Sequence, residues 1–206
     1  MRTIFIWDIH WCFDEFINLL DKLNYDQNKD KLYLTWDFMN KWPKSFEVID
    51  FLVKNPQIKS VIWNNEVNFL KFLENDYRKY HPWFDKFKEQ FNKKHIEYLK
   101  DLPAYIETKD WILLHAWVIP WKKLEEHDIR EIARVRKINW KNWYEYYNTK
   151  FKTIIYWHNA ADWLKIRENT IGLDSWCVYW KQLTAYIYET WEILQEQAKK
   201  TYVKIK

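Results

Sequence analysis

The chain has 206 residues, 30% of them charged and 48% apolar, with a net charge of +4. That composition excludes a disordered chain, the length suits one domain with a sizeable core, and the charge is too mild to argue for nucleic acid. No apolar run approaches the ~18 residues of a membrane span, residues 1–6 carry no signal-peptide pattern, and two cysteines, Cys12 and Cys177, exclude a disulfide framework and fit a reducing cytoplasm.

In chain order, residues 2–6 are predicted as a strand, 12–23 as a helix, 31–35 as a strand, 44–54 as a helix, 58–62 as a strand and 65–74 as a helix. Phe16, Leu19, Leu20 and Leu23 recur at helical spacing, whereas Leu32, Tyr33 and Leu34 form a short buried run. Strands alternating with helices indicate an α/β core. Residues 75–101, rich in Lys, Asn and aromatics, read as one or two helices inserted over the sheet face. Strands resume at 104–107 and 111–115. A polar stretch of mixed helical character fills 121–150, and strands follow at 153–156, 170–173, 183–188 and 192–196, the last two joined as a hairpin around Trp191. No linker or repeat divides the chain, so residues 1–206 are expected to form one domain.

Two counts are abnormal. The chain has 16 Trp and one Gly, where about 14 Gly are expected at ~7% of residues. Tight turns and helix ends need positive φ, which glycine supplies at little steric cost. Many of the tryptophans stand in turn contexts where glycine is usual, as in Asn139-Trp140-Lys141 and Glu189-Thr190-Trp191-Glu192. Trp83, Trp111 and Trp143 instead have apolar or aromatic surroundings. Reading the other thirteen (7, 11, 36, 42, 63, 117, 121, 140, 157, 163, 176, 180 and 191) as glycine leaves three Trp and brings Gly to fourteen, both ordinary totals. The pattern is that of a UGA codon decoded as glycine in the cell and written as Trp. The excess of Lys over Arg, 27 to 6, agrees with an A/T-rich gene. The alternatives are deliberate Gly-to-Trp replacement and a protein truly rich in Trp.

The polar motifs fall at the carboxyl ends of the predicted strands, where α/β folds place their sites. Asp8 and His10 follow the first strand, Asp37 the second and Asn64 the third. His115 ends a fourth, and His158 follows Ile154-Ile155-Tyr156. Imidazole with carboxylate and carbonyl oxygen suits Mn, Fe or Zn better than Ca. Six such groups exceed one site and suit two metals sharing a carboxylate, an arrangement that clamps a phosphoryl group. Singly, an Asp after a strand is a helix cap, and a lone His is a structural residue; the ordered set carries the argument.

With glycine restored, the chain resembles the calcineurin-like metallophosphoesterases, in the phosphoprotein phosphatase branch that also holds the symmetrical diadenosine tetraphosphatases. The motifs stand here as Trp7-Asp8-Ile9-His10-Trp11, Trp36-Asp37-Phe38-Met39-Asn40-Lys41-Trp42, Trp63-Asn64-Asn65-Glu66, His115-Ala116-Trp117 and Trp157-His158, with a closing segment from Leu173 to Thr184. The resemblance implies an α/β sandwich of two mixed sheets flanked by helices and a phosphoester hydrolase with two divalent ions, manganese first and Fe or Zn next. It further implies that Asp8 and His10 bind the first metal, Asp37 bridges, and Asn64, His115 and His158 bind the second. Metal-bound hydroxide would attack phosphorus in line. Arg136, with Arg134 as runner-up, looks like the phosphate-binding arginine; a solvated helix face is the plainer reading of both. A Trp at 7, 11, 36 or 63 would put an indole where the backbone must approach the metals closely, so tryptophan there predicts a poorly folded, inactive chain.

The chain departs from the family at three points. Lys41 replaces a phosphate-binding Arg and loses its bidentate fork. Asn65 and Asn40 replace the His that protonates the leaving group and the Asp that orients it, and Asn is no general acid at neutral pH. The reading placed first is a serine/threonine-type protein phosphatase or general phosphomonoesterase, cytoplasmic and monomeric, acting on a phosphorylated protein or small phosphoester, without nucleic acid or membrane. The alternative is a symmetrical dinucleoside tetraphosphatase, with Tyr77, Tyr80, Trp83 and Phe84 able to stack a base or simply to pack. From another class, a catalytically impaired binding protein could keep the fold.

Overall fold

In the computed structural model, the described residues are 1–7, 9–10, 12–35, 44–74, 82–116, 118–128, 132, 137–147, 152–156 and 164–202. Two five-stranded mixed sheets dominate. The first runs β12(Glu192–Gln197), β11(Gln182–Ile187), β1(Arg2–Trp7), β2(Asp30–Thr35), β3(Lys59–Ser60), and the second runs β4(Tyr105–Glu107), β5(Trp111–Leu114), β8(Thr153–Tyr156), β10(Thr170–Gly172), β9(Lys165–Ile166). β1, β2 and β3 are parallel, as are β5, β8 and β10, so each sheet gathers several strand carboxyl ends on one side. A separate two-stranded hairpin joins β6(Lys137–Ile138) to β7(Lys141–Asn142).

The alternation of side chains along the strands sets the layers. Phe5 and Trp7 of β1 meet Trp111 and Leu113 of β5, Ile155 of β8 and Ile171 of β10 in a core between the sheets. Ile4 and Ile6 point the other way and pack with Leu32 and Leu34 against a helical layer. Ile112, Leu114, Ile154 and Tyr156 form a third cluster, with Trp143 and Tyr144, on the outer face of the second sheet.

The helical layer holds α1(Phe13–Lys22), α2(Ser45–Lys54), α3(Asn64–Leu73), α4(Pro82–Gln90) and α5(Lys93–Asp101). α1 buries Phe16, Leu19 and Leu20, and also Glu15. It ends in a paired bond pattern, Asn24 N–H to the Asp21 carbonyl and Tyr25 N–H to the Leu20 carbonyl, with Asn24 at φ 47°. Here asparagine performs the left-handed turn that usually falls to glycine. α5 is capped by Asn92, whose side chain accepts from the N–H groups of Lys94 and His95. The insertion differs from the expectation in where it packs. α4 and α5 lie on α2 and α3, and Phe84, Phe87, Phe91 and Leu99 join the helical core, so the described part of the segment, residues 82–101, thickens that layer. The predicted third strand shortens to β3, and the 121–150 stretch, expected to be of mixed helical character, holds short 3-10 turns at Leu124–Glu126 and Trp143–Glu145 with the hairpin β6–β7 between them.

The tryptophans divide by backbone. Seven of the thirteen suspect positions lie among the described residues, and four of those have positive φ: Trp140 (71°), Trp176 (57°), Trp180 (75°) and Trp191 (60°). A bulky side chain is disfavoured there by about 1–2 kcal/mol. Asn139 and Trp140 form the two-residue turn of β6–β7 with both φ positive, the geometry that favours Asn-Gly. Trp180 occupies the left-handed position of a helix-ending motif, with Trp180 N–H to the Cys177 carbonyl and Lys181 N–H to the Trp176 carbonyl. Trp83, Trp111 and Trp143 all have negative φ.

Gly172, the one glycine, is fixed by space. A Cβ there would stand 2.9 Å from the Tyr156 ring carbon Cζ and 2.9 Å from its hydroxyl.

At the amino end of the first sheet, Arg2 grips Asp30 through two bonds, Nε to Oδ1 at 2.9 Å and Nη2 to Oδ2 at 2.6 Å. Its Nη1 also donates to the Leu23 carbonyl. This side of the sheet is tied by satisfied polar groups.

Candidate metal centre

The candidate residues are carried at the other, carboxyl side of both sheets. β1 runs into Trp7, whose register partner on β2 is Thr35. The chain then passes His10 on its way into α1. Its φ of 37° is a conformation that histidine adopts more readily than most residues, but a strained one, and such strain gathers at functional sites. Cys12 N–H closes the turn on the Ile9 carbonyl at 2.6 Å. After β3, Val61, Ile62 and Trp63 lead to Asn64, the first residue of α3, with Trp63 as an extended N-cap. His115 follows β5 directly.

Of the expected ligands, the structure brings His10 and His115 against one residue, Trp63, and Asn64 follows that residue at the start of α3. His10 is 7% exposed and His115 fully buried. The residue that links them is Trp63, next to Asn64 in sequence. Its ring lies 3.8 Å from the His115 ring, centroid to centroid, at 32°, and 6.4 Å from the His10 ring, edge to face. Asp8, Asp37, Lys41, Arg136 and His158 lie outside the described residues, as do Asn40 and Arg134. Among the described residues, no cluster of three His, Cys, Asp or Glu side chains could hold a metal.

The residue types suit divalent metal, since two imidazoles stand at the ends of strands from the two sheets and an amide follows Trp63. The space does not. A catalytic metal needs an open coordination position for water or substrate, and here an indole packs on the imidazoles with both Trp63 and His115 at 0% exposure. Among the described residues, the Trp63–His115 packing therefore does not fit the ions that the motifs imply.

Two carboxylates near these elements had no role in the sequence reading. Glu66, in the same motif as Asn64, is 1% exposed, and Asp174 is 5% exposed and accepts from the Trp176 N–H. Burial was the missing signal for Glu66, since a first-turn acid on a helix reads from sequence as a complement to the helix dipole. A cavity of about 450 Å³, with Asp174 in its wall, lies between the closing segment and β11–β12. Its walls include Trp176 and Trp180, two of the left-handed tryptophans. No helix among the described residues is long and apolar enough to cross a membrane.

Comparisons with known proteins agree with the fold. No family model matches the chain. A symmetrical bis(5'-nucleosyl)-tetraphosphatase of Buchnera aphidicola is 45% identical over 71 residues, which is 34% of this chain and only 26% of that relative's length. One of Neisseria meningitidis is 23% identical over 94% of both chains. Among solved structures, a putative diadenosine tetraphosphatase superposes with a TM-score of 0.82 at 24% identity, covering 96% of this chain and 93% of that one. A metallophosphoesterase of Sphaerobacter thermophilus follows with a TM-score of 0.59 at 15% identity, covering 97% and 89%. A serine/threonine protein phosphatase of Saccharomyces cerevisiae reaches a TM-score of 0.60 at 13% identity, covering 100% and 81%. These likenesses show the fold: two mixed sheets flanked by helices, shared with solved structures described as a metallophosphoesterase and a putative diadenosine tetraphosphatase.

Proposed function

We propose that the working protein is a metal-dependent phosphoester hydrolase that splits symmetrical dinucleoside tetraphosphates. The observation that carries this reading is the end-to-end similarity to proteins named symmetrical tetraphosphatases, over 94% of both chains in the Neisseria case. This places the tetraphosphatase reading ahead of the serine/threonine phosphatase reading that the sequence alone put first.

The chain's own residues support the order. Asn65 stands where a leaving-group acid would stand, and an amide cannot donate a proton to an alkoxide at neutral pH. A nucleoside diphosphate leaves as a stable anion and needs no such donor, whereas the hydroxyl of serine does. Asp8, His10, Asp37, Asn64, His115 and His158 are proposed as the ligands of two divalent ions, manganese first. Lys41 and Arg136 would hold the phosphate chain by charge. A cytoplasmic monomer belongs to the same proposal.

The test is product analysis of the chain carrying glycine at the thirteen suspect positions, given diadenosine tetraphosphate or a phosphoserine peptide with Mn²⁺. Conversion of the tetraphosphate to adenosine diphosphate alone is expected. Turnover of the peptide but not the tetraphosphate would return the reading to a protein phosphatase. Bound metal with no turnover of either would favour the non-catalytic binding protein.

A further inference from the structure

We infer that the side chain at position 63 decides whether the metal centre can exist, and that the working chain carries glycine there. The inference rests on the metal-dependent reading for the identity of the guest; the obstruction itself stands on distances.

A first-row ion binds imidazole at about 2.0–2.1 Å and keeps at least one position for water or substrate. His10 and His115 come from different sheets, and both their rings contact the same indole. At 3.8 Å between ring centres, Trp63 is in van der Waals contact with His115. With Trp63 and His115 both at 0% exposure, a hydrated ion has no route to the His115 ring. The indole carbons stand against the His115 ring, where a bound ion and its water would need space.

The backbone does not demand tryptophan at 63. The residue is an N-cap at φ −120° and ψ 169° and makes no side-chain capping bond, so the indole does nothing for α3 that a smaller residue could not do. Glycine is well accepted at an N-cap. Four other tryptophans independently occupy left-handed conformations suited to glycine. Position 63 belongs with them for a different reason, since space rather than φ excludes the indole.

The experiment compares two full-length chains. One carries glycine at all thirteen suspect positions; the other carries glycine at twelve and keeps Trp63. Mn²⁺ bound per chain is read by equilibrium dialysis with metal analysis, and far-ultraviolet circular dichroism with a thermal midpoint reports folding. About two ions are expected in the first chain, and a loss in affinity of at least about tenfold is expected in the second. His115→Ala in the thirteen-glycine chain should also lower the uptake, which ties the ions to this place. Equal Mn²⁺ binding by two folded chains would overturn the inference, and so would a folded thirteen-glycine chain that takes no Mn²⁺. Because the readout is metal content, a chain that binds Mn²⁺ only without Trp63 but leaves the tetraphosphate intact would uphold the inference and sink the proposed substrate.

Discussion

Trp111 and Trp140 are the same residue in opposite circumstances. Trp111, in β5, is 5% exposed and meets Phe5 edge-on at 5.0 Å and Tyr33 at 4.8 Å, in the core between the sheets. Trp143, 2% exposed, packs similarly on Tyr156 at 4.9 Å. Trp140 sits in a two-residue turn, 93% exposed and at φ 71°. The first two remove large apolar surfaces from water, which is what indole does best. The third leaves that surface in water and strains its backbone as well. The fold uses indole in its cores and merely tolerates it in its turns, so the sixteen tryptophans do not form one population.

The largest effect should come from the core members. Trp111→Ala is expected to destabilise the fold by about 3–5 kcal/mol, read from chemical denaturation, with Trp143→Ala close behind; a loss near zero would break the comparison. Gly172→Ala should come next, at about 1–3 kcal/mol. Its new methyl group meets a Tyr156 ring that is 1% exposed and hemmed in by Trp143 and Tyr144. Thermal unfolding of that variant checks whether the one written glycine is as necessary as the geometry says.

The turn members should respond with the opposite sign. Trp140→Gly and Trp180→Gly are each expected to stabilise the fold by about 1 kcal/mol, through relief of the left-handed strain. Destabilisation by either would show that the indole makes contacts that outweigh its backbone.

The smallest effect serves as a baseline, in a region without tryptophan. The bidentate Arg2 pair holds the Asp30 carboxyl below its ordinary value, followed by the opposing effect of burial. A lowered folded value means that the pair stabilises the fold above the unfolded pKa of about 3.9 and stops doing so as pH falls through the folded value. Asp30→Asn should therefore be less stable than the parent at neutral pH, with the gap closing only in acid. A gap that widened in acid would contradict this.

Much of the first sheet was legible because its signals are local and repeated. Phe16, Leu19 and Leu20 mark one face of α1, and Leu32 and Leu34 one face of β2. Asn139-Trp140 was readable as a turn, but the β6 and β7 strands on either side were missed because they have two residues each. β9 was missed for its shortness as well. His10, Asn64 and His115 were readable as candidates from their places after strands. An indole at 63 crowding the metals was expected from the motif; that it touches both His10 and His115 depends on how the two sheets meet, which no local pattern encodes. The same holds for Glu15, an exposed-looking helix acid that is in fact buried, accepting the Lys199 N–H and the Tyr202 hydroxyl and so fastening the C-terminal segment to α1.

The most direct test of the central claim is peptide mass spectrometry of the protein purified from its own cells. Glycine masses are expected at 63, 140, 176, 180 and 191, with tryptophan at 83, 111 and 143 as internal controls. Tryptophan at all sixteen positions would contradict the account: the metal centre would be closed in the living protein, and only the fold and its ancestry would stand.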